Sequence, residues 1–552
     1  MIREYKKIFP AVLFLLFAVF VWRQFYGFNK NDEIFYISTV YRFFQGDAML
    51  VDEWNNVQLF AFITYPLYCL VRLFHDSNEG IVLIFRIAYL VYQAAVCGYC
   101  YWRMKRFGWV RILPALFYFV TTPYNINSLS YNTLAFGFIL LTLVTLSSME
   151  DWNIRDSILS GIFTAGAVLA NPYVVLLFVV YGILCAGHTL YRKYAGGQTE
   201  AVLSFRHFFW MGIGAFLVCV LFFVFVFSRG SLEEIFESIT YIVMDSERQK
   251  SFWEKFTKYF IRIHRYYKFL VYVTGILIVL KIADRKKKLP SMFYIAVDAV
   301  TAIPYIVYYG FFWEMVGINY MLIPLAFPGI IAYVVSEKKD RKLFYGWYVP
   351  GLLYTILAHF ATNTGILTVS ASYMIASAAS ILLLWQAVKE VDKKQLYLCF
   401  SIILAVQFSA CVWQRVVYVW GDEHLEYLTS ALTMGPMKGI HTSIENKHLY
   451  MEVMQDMNEL QLTKDDKLFV VGIAPWMYLN TEAECGAYST WETLETDPLI
   501  PIYYEIRPEK LPTVIYCYEY EESILDTEFA YEFINKGYEP RRMRRGMVLE
   551  RR

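Results

Sequence analysis

Charge is scarce in this chain. Asp, Glu, Lys and Arg make up 18% of its 552 residues, against roughly 25% in soluble domains. The two signs nearly cancel, leaving a net charge of +1. No basic tract marks the chain for a polyanion, so nucleic acid is not an expected partner. Cysteine is also sparse: nine residues, scattered without zinc-type spacing, which excludes a small disulfide scaffold and gives no structural metal module. Glycine and proline, at 29 and 17, fall far short of a collagen or a low-complexity chain. What is abundant is apolar surface. Hydrophobic residues reach 57% and aromatics 19%, and mean hydropathy is +0.39. That excludes a disordered protein and almost any soluble enzyme, and it leaves a multi-pass membrane protein.

Fourteen apolar stretches run along the first three quarters of the chain: 8–26, 57–75, 81–102, 110–122, 133–149, 158–170, 173–190, 207–228, 266–281, 291–311, 317–335, 346–361, 366–388 and 395–413. The first follows Arg3, Lys6 and Lys7, and no small-residue cleavage site follows it. It reads as a signal anchor with the N-terminus cytoplasmic. Loop charge then sorts the others. If 57–75 does not cross, the seven segments on the inner side carry 23 Lys and Arg, and the short outer loops 123–132, 170–173, 312–316 and 362–365 carry none. If it does cross, the run Arg285-Lys286-Lys287-Lys288 moves outside and the rule is inverted. So 57–75, broken at Pro66, is expected to be juxtamembrane or re-entrant, leaving about thirteen spans. Two external loops are then long, 27–80 and 229–265.

Two domains are expected. Residues 1–413 form a mainly α, polytopic helical bundle. Residues 414–552 form a small extracytoplasmic α/β domain, with strands near 468–473 and 514–518, helices near 444–461 and 522–536, and a helix stop at Gly537. No glycine-rich phosphate loop follows either strand. Cys485 and Cys517 could pair there, although two cysteines are weak grounds for a disulfide.

Chemistry concentrates outside the membrane. Asp32-Glu33, with Tyr36 one turn on, lies just beyond the first span. Aromatic and apolar neighbours raise a carboxyl's proton affinity and suit it to general-base work. The structural alternative is a pair of acids at a helix N-terminus. Asp47, Asp52 and Glu53 continue the acidic loop, and two or more of these acids could hold a divalent cation such as Mg or Mn through hard oxygen ligands. The competing reading is a solvated acidic loop. The turn from Tyr124 to Asn132 is polar and uncharged, fit to orient a sugar or an acid, or simply to cap a helix. Arg262, His264, Arg265 and Tyr267 close the second long loop beside Lys255 and Lys258. They suit a phosphate headgroup, or interfacial anchoring by snorkelling side chains. Within the spans, Arg86 and Asp298 are the costly charges, functional or members of a structural ion pair. His359 reads as a satisfied buried histidine, and Cys97 and Cys100 as helix packing.

The order of these features resembles the GT-C superfamily of membrane glycosyltransferases. It runs from one span through Asp32-Glu33 with Tyr36, Gly46-Asp47, Tyr65-Pro66-Leu67-Tyr68, Glu79-Gly80 and Phe85-Arg86 to a basic inner loop, then Pro123 and Ser130-Tyr131-Asn132. Within the superfamily it is similar to protein O-mannosyltransferases and to the aminoarabinose transferases acting on lipid A. By motif the resemblance covers about residues 8–190. It implies a plasma-membrane enzyme that moves a sugar from a polyprenyl-phosphate carrier to an envelope glycan, lipid or protein hydroxyl, with inversion. Asp32 would be the general base, Glu33 its neighbour and Tyr36 part of the site wall. The cations of 255–268 would hold the departing phosphate. Two departures stand out. Asn132 occupies a place where relatives often carry an aspartate. Ile63-Thr64-Tyr65 stands where the lipid A type carries a lysine. Three other readings compete: a transporter or flippase of lipid-linked sugars, which should show repeated halves and helices broken at the midplane; a polysaccharide polymerase or ligase; and an inactive homologue kept as a scaffold.

Overall fold

The computed structural model describes residues 5–149, 152–195, 203–243, 251–284, 289–313, 319–361 and 366–551. The Arg285–Lys288 run and parts of the loops at 229–265, 312–316 and 362–365 lie outside these residues. Each apolar stretch of the sequence is helical. In chain order the helices are α1 (Tyr5–Arg23), α2 (Asp32–Gln45), α3 (Phe60–Arg72), α4 (Ile81–Arg103), α5 (Ile112–Val120), α6 (Tyr131–Ser148), α7 (Ile154–Ala170), α8 (Val175–Ala195), α9 (Phe205–Phe227), α10 (Leu232–Val243), α11 (Phe252–Ala283), α12 (Ser291–Val307), α13 (Phe327–Val335), α14 (Arg341–Leu343), α15 (Val349–Phe360), α16 (Ile366–Val391) and α17 (Lys394–Val417).

Among the described residues, eight helices are long and apolar enough to cross a membrane, fewer than the thirteen expected. The difference has a physical source. Several apolar stretches are interrupted helices: α5, at nine residues, is preceded by 3-10 turns at Lys105–Arg111. Likewise α13 continues 3-10 turns from Tyr320, and α15 follows a wide π-type turn at Phe344–Tyr348. Such breaks are tolerated at membrane depth when neighbouring helices bury them. The central α16 supplies that cover. Ser377 and Ser380 donate to the carbonyls of Leu322 and Leu325, and Trp347 donates to the carbonyl of Ile375. α3 spans 13 residues around Pro66 and is one of the shorter apolar helices.

Asp298 on α12 accepts from Thr274 of α11 at 2.6 Å, so this intramembrane acid ties two helices together. His359 meets the Lys255 carbonyl at 2.8 Å. Cys97 and Cys100 are buried free thiols in α4.

The chain beyond α17 forms a short hairpin, β1 (Ser430–Ala431) with β2 (His441–Thr442), then α18 (Ile444–Leu460) and a five-stranded sheet. Its strands are β3 (Lys467–Val471), β4 (Glu484–Cys485), β5 (Val514–Tyr518), β6 (Tyr538–Arg542) and β7 (Gly546–Arg551), in the order β4-β3-β5-β7-β6. β3 is parallel to β4 and β5, and β7 is antiparallel to both of its neighbours, β5 and β6. α19 (Leu499–Ile506) and α20 (Glu528–Asn535) complete it, with Gly537 at φ +91°, in the left-handed region glycine favours after a helix end. Cys485 and Cys517, which could have paired, are both free thiols. They sit on strands separated by β3, about 10 Å apart at the usual strand spacing, beyond disulfide reach.

The sheet does not stand apart from the bundle. One continuous apolar cluster joins Phe28, Ile34, Tyr36, Phe60 and Phe85, of the 27–80 loop and α4, to Trp476, Leu468, Ile515 and Phe533 of the sheet domain. The loop 27–80 is the layer between bundle and sheet.

Candidate active site

α2 begins where α1 ends, and the turn between them is fixed from three sides. Arg23, at the end of α1, donates to the carbonyls of Val416 and Tyr418, both at 2.7 Å. Gly27 has φ +100°, and a Cβ there would lie 2.0 Å from Val419 Cγ1. No other residue lets the chain pass so close in that conformation. Asp422 accepts from the Phe28 amide, the Thr442 hydroxyl and the Asn446 amide group at 2.6–2.7 Å. Together these contacts bring the 416–422 segment over the first turn of α2.

The result is a single carboxylate under an indole. Trp420 donates from Nε1 to Asp32 Oδ2 at 2.9 Å. Burial pushes the Asp32 carboxyl above its ordinary value of 3.8, and the Trp420 N–H opposes that only in part. Tyr36, one turn on, packs edge-on against Phe60 and Tyr131, with centroids at 5.4 and 5.8 Å. Its phenol is pushed well above 10 by burial, with Asp32 and Tyr131 adding to the effect. The turn before α6 supplies the far wall. Tyr124 and Asn125 both have positive φ, 56° and 54°, a costly arrangement for two non-glycine residues in succession. Two bonds hold it: Asn319 Oδ1 accepts from the Tyr124 amide at 2.9 Å, and Asn125 donates to the Gln414 carbonyl at 2.7 Å. The Tyr124 ring then lies 6.1 Å from Trp420. Asn132 is buried in the first turn of α6, beside Tyr131.

Glu33 points elsewhere. Its two oxygens take a fork from Arg86, Nε at 2.6 Å and Nη2 at 2.5 Å. The remaining Arg86 N–H groups reach the carbonyls of Gln24, Tyr26 and Gly27. Both side chains are buried. The pair clamps the α1–α2 turn to α4, so two adjacent acids have separate environments, one facing a cation and one an indole.

Asp52 and Glu53 lie toward the other end of α2, beside Arg42, about 15 Å along the helix from Asp32. Arg42 pairs with Asp47 and, at 3.1 Å, with Glu53, and also donates to the Asp52 carbonyl and the Tyr503 hydroxyl. Lys510 pairs with Asp47. Arg507 bridges Asp52 and Glu234, each at 2.8 Å. Burial raises the Asp47 carboxyl, but Arg42 and Lys510 outweigh it and hold the group below its ordinary range. Glu53 is buried more completely than Arg42 compensates, and stands raised. Three cations from α2 and the sheet domain already answer these acids, so the donor set does not fit a divalent ion. Among the described residues no group of three His, Cys, Asp or Glu is placed to hold a metal.

The basic stretch lies on α11, which kinks at Tyr267. Tyr267 is buried and donates to the Tyr320 carbonyl at 2.8 Å. Arg262 is half-buried, Arg265 is exposed, and His264 pairs with the Tyr272 hydroxyl at 2.8 Å. Tyr320 follows Asn319 directly. The α11 kink is therefore linked, through Asn319, Tyr124 and Trp420, to Asp32.

The structure thus brings together Asp32, Tyr36 and the α6 turn of Asn132, turns Glu33 and Arg86 onto each other, and sets Asp52 and Glu53 apart. Trp420, Tyr124's strained backbone and Asn319 complete the site. Trp420 follows the last span as interfacial tryptophans often do, which is the one signal that marks it in the sequence.

No protein-family model matches the chain, and no curated protein matches it. Among solved structures it is similar to ArnT from Cupriavidus metallidurans bound to undecaprenyl phosphate, at 12% identity and TM-score 0.43, covering 100% of this chain and 98% of that one. It is also similar to the archaeal oligosaccharyltransferase AglB from Archaeoglobus fulgidus in complex with an inhibitory peptide and a dolichol-phosphate, at 9% identity and TM-score 0.41, covering 97% and 73%. Likenesses this loose decide neither fold nor reaction.

Proposed function

We propose that this chain is a membrane glycosyltransferase that moves a sugar from a polyprenyl-phosphate carrier to a hydroxyl group outside the cytoplasm. The observation that carries the reading is Asp32: a carboxylate at the edge of the bundle, raised in proton affinity by burial, with one oxygen held by Trp420 and, among the described residues, no cation paired to it. A base of that kind takes the proton of an acceptor hydroxyl as the oxygen attacks. The new bond forms at the anomeric carbon while the bond to the carrier phosphate breaks, which inverts that carbon. Polyprenyl phosphate leaves with the bond's electron pair. The N-terminus then lies inside and the sheet domain outside.

In this reading Tyr36 and Asn132 shape the sugar pocket, Glu33 and Arg86 fix the turn that presents Asp32, and Arg262, His264 and Arg265 receive the departing phosphate. The acceptor class is a glycan, lipid or protein hydroxyl. The motif order from Asp32 to Asn132 supports the same assignment. A flippase would need its polar groups along a path at the midplane, whereas the acids here gather at one external face.

The test is release of labelled sugar from a panel of polyprenyl-phosphate sugars by purified protein, with a membrane extract as acceptor source, with and without chelator. Wild type should turn over, and Asp32→Asn should bind donor without turning it over. Equal behaviour of the two, or movement of intact donor across vesicles, overturns the assignment.

A further inference from the structure

The stripe of α2 that carries Asp32 continues through Phe35, Tyr36 and Thr39, the residues one and two turns on. The sheet domain lies along that stripe. Thr39 shares a hydrogen bond with Thr490 at 3.1 Å, and the Phe35 ring meets Trp491 edge-on with centroids 5.0 Å apart. Trp491 sits in the segment between β4 and α19, and it is half-exposed while Phe35 beneath it is buried. Trp420, also half-exposed, covers Asp32 itself. The two indoles come from segments 71 residues apart in sequence and lie one helical turn apart along α2.

From this geometry we infer that Trp491 is an acceptor platform, and that the acceptor is an uncharged pyranose ring that lies against this indole with one hydroxyl at Asp32. The inference rests on the transferase reading and narrows its acceptor. A pyranose presents a face of C–H groups with partial positive charge, and the face of an indole carries the opposite sign. A half-exposed tryptophan beside a base is suited to such a ring, because it offers a large apolar plane without demanding a hydrogen bond in return.

The surroundings disfavour the other acceptor classes. A phosphorylated headgroup needs a cation. Among the described residues, neither indole nor Phe35 carries a stacked or hydrogen-bonded Lys or Arg, and Arg86 is fully engaged by Glu33 and three carbonyls. In the sequence Trp491 is followed by acids, Glu492 and Glu495, and Glu495 accepts from the Tyr520 hydroxyl. Carboxylates of this kind accept from sugar hydroxyls and repel phosphate. Strand addition by an extended peptide has little to pair with on this side of the sheet, where the edge strand β4 is two residues long.

The experiment is saturation-transfer NMR on the full-length protein in nanodiscs. The probes are a set of methyl pyranosides, one of their 6-phosphates, N-acetyl-threonine amide and glycerol. Wild type should transfer saturation to the ring C–H groups of a pyranoside, more weakly to its phosphate, and least to glycerol and the threonine derivative. Trp491→Leu keeps apolar volume without a ring face and should weaken pyranoside binding about tenfold, while Trp491→Phe retains most of it. Thermal unfolding of both variants reports whether they fold. If Trp491→Leu folds and binds the pyranoside as wild type does, the platform is wrong. It is also wrong if the phosphate or the threonine derivative binds best. Failure of the two readings can be told apart. Pyranoside binding that follows Trp491 in a protein that turns over no donor leaves the platform standing without the transferase. Transfer to a peptide that ignores Trp491 leaves the transferase without the platform.

Discussion

Asp32 in the first turn of α2 and Asp47 just past its last turn are the same kind of side chain, and the protein treats them in opposite ways. At the far end, Asp47 shares Arg42 and Lys510, and its charge is answered inside the protein. At the near end, Asp32 is covered as well, but among the described residues its carboxyl meets the Trp420 indole N–H and a backbone amide, and no cation. Burial penalises both carboxylates; the cations reverse the penalty at Asp47 and nothing reverses it at Asp32. Glu33 makes the point at closer range, since one residue away from Asp32 it faces Arg86 in a two-pronged bond. Acidity in this loop is abundant, and what separates a candidate base from a brace is whether a guanidinium or ammonium sits against it.

The comparison breaks at once if Asp32 is not the base. Asp32→Asn should lower kcat by about a thousandfold, within the usual range for loss of a general base, as read by sugar release under saturating donor. The next effect belongs to the other end. Arg42→Met removes the cation paired with Glu53 and one of the two paired with Asp47, and should destabilise the fold by about 3–5 kcal/mol, seen as a lower thermal midpoint in detergent.

A smaller effect separates the two acids by pH. The Asp47 carboxyl is depressed in the folded state, so it contributes stability that is fully present above its unfolded value near 3.8 and is lost as pH falls through the folded value. Asp47→Asn should therefore cost stability at pH 5–7, and the gap to wild type should close only below about pH 4. Asp32 has the opposite sign. Its folded value is raised, so its ionisation costs stability above the ordinary 3.8, and Asp32→Asn should be as stable as wild type or more so at neutral pH. The smallest effect concerns Trp420. Its N–H favours the ionised Asp32, so Trp420→Phe should raise the carboxyl further and move the acid limb of kcat/KM to higher pH by about one unit.

The sequence marked the membrane bundle through apolar run length alone, because each run is helical whichever helix it packs on. It marked α18, β3, β5 and Gly537 through local pattern. It did not mark the β6–β7 hairpin, whose first strand carries Pro540, Arg541 and Arg542; β7 pairs with β5, and β6 pairs with β7. It did not reveal that α5, α13 and α15 are pieces of broken helices, whose exposed backbone α16 helps to bury. Asp32 stood out by position. Its environment did not, since Trp420 lies 388 residues away. The brace was equally hidden: Lys510 reaches Asp47 across 463 residues, and nothing near either residue announces the other. Local chemistry named the acids, and the topology of the loop layer assigned each one its partner.

The most direct measurement pairs turnover with thermal stability in Asp32→Asn and Asp47→Asn at pH 7. The account predicts a crossing: Asp32→Asn keeps its midpoint and loses sugar transfer, whereas Asp47→Asn loses midpoint and keeps transfer per folded molecule. If the two variants lose both properties together, or if Asp47→Asn is the one that folds normally and fails to turn over, the division of α2 into a reacting end and a bracing end is contradicted.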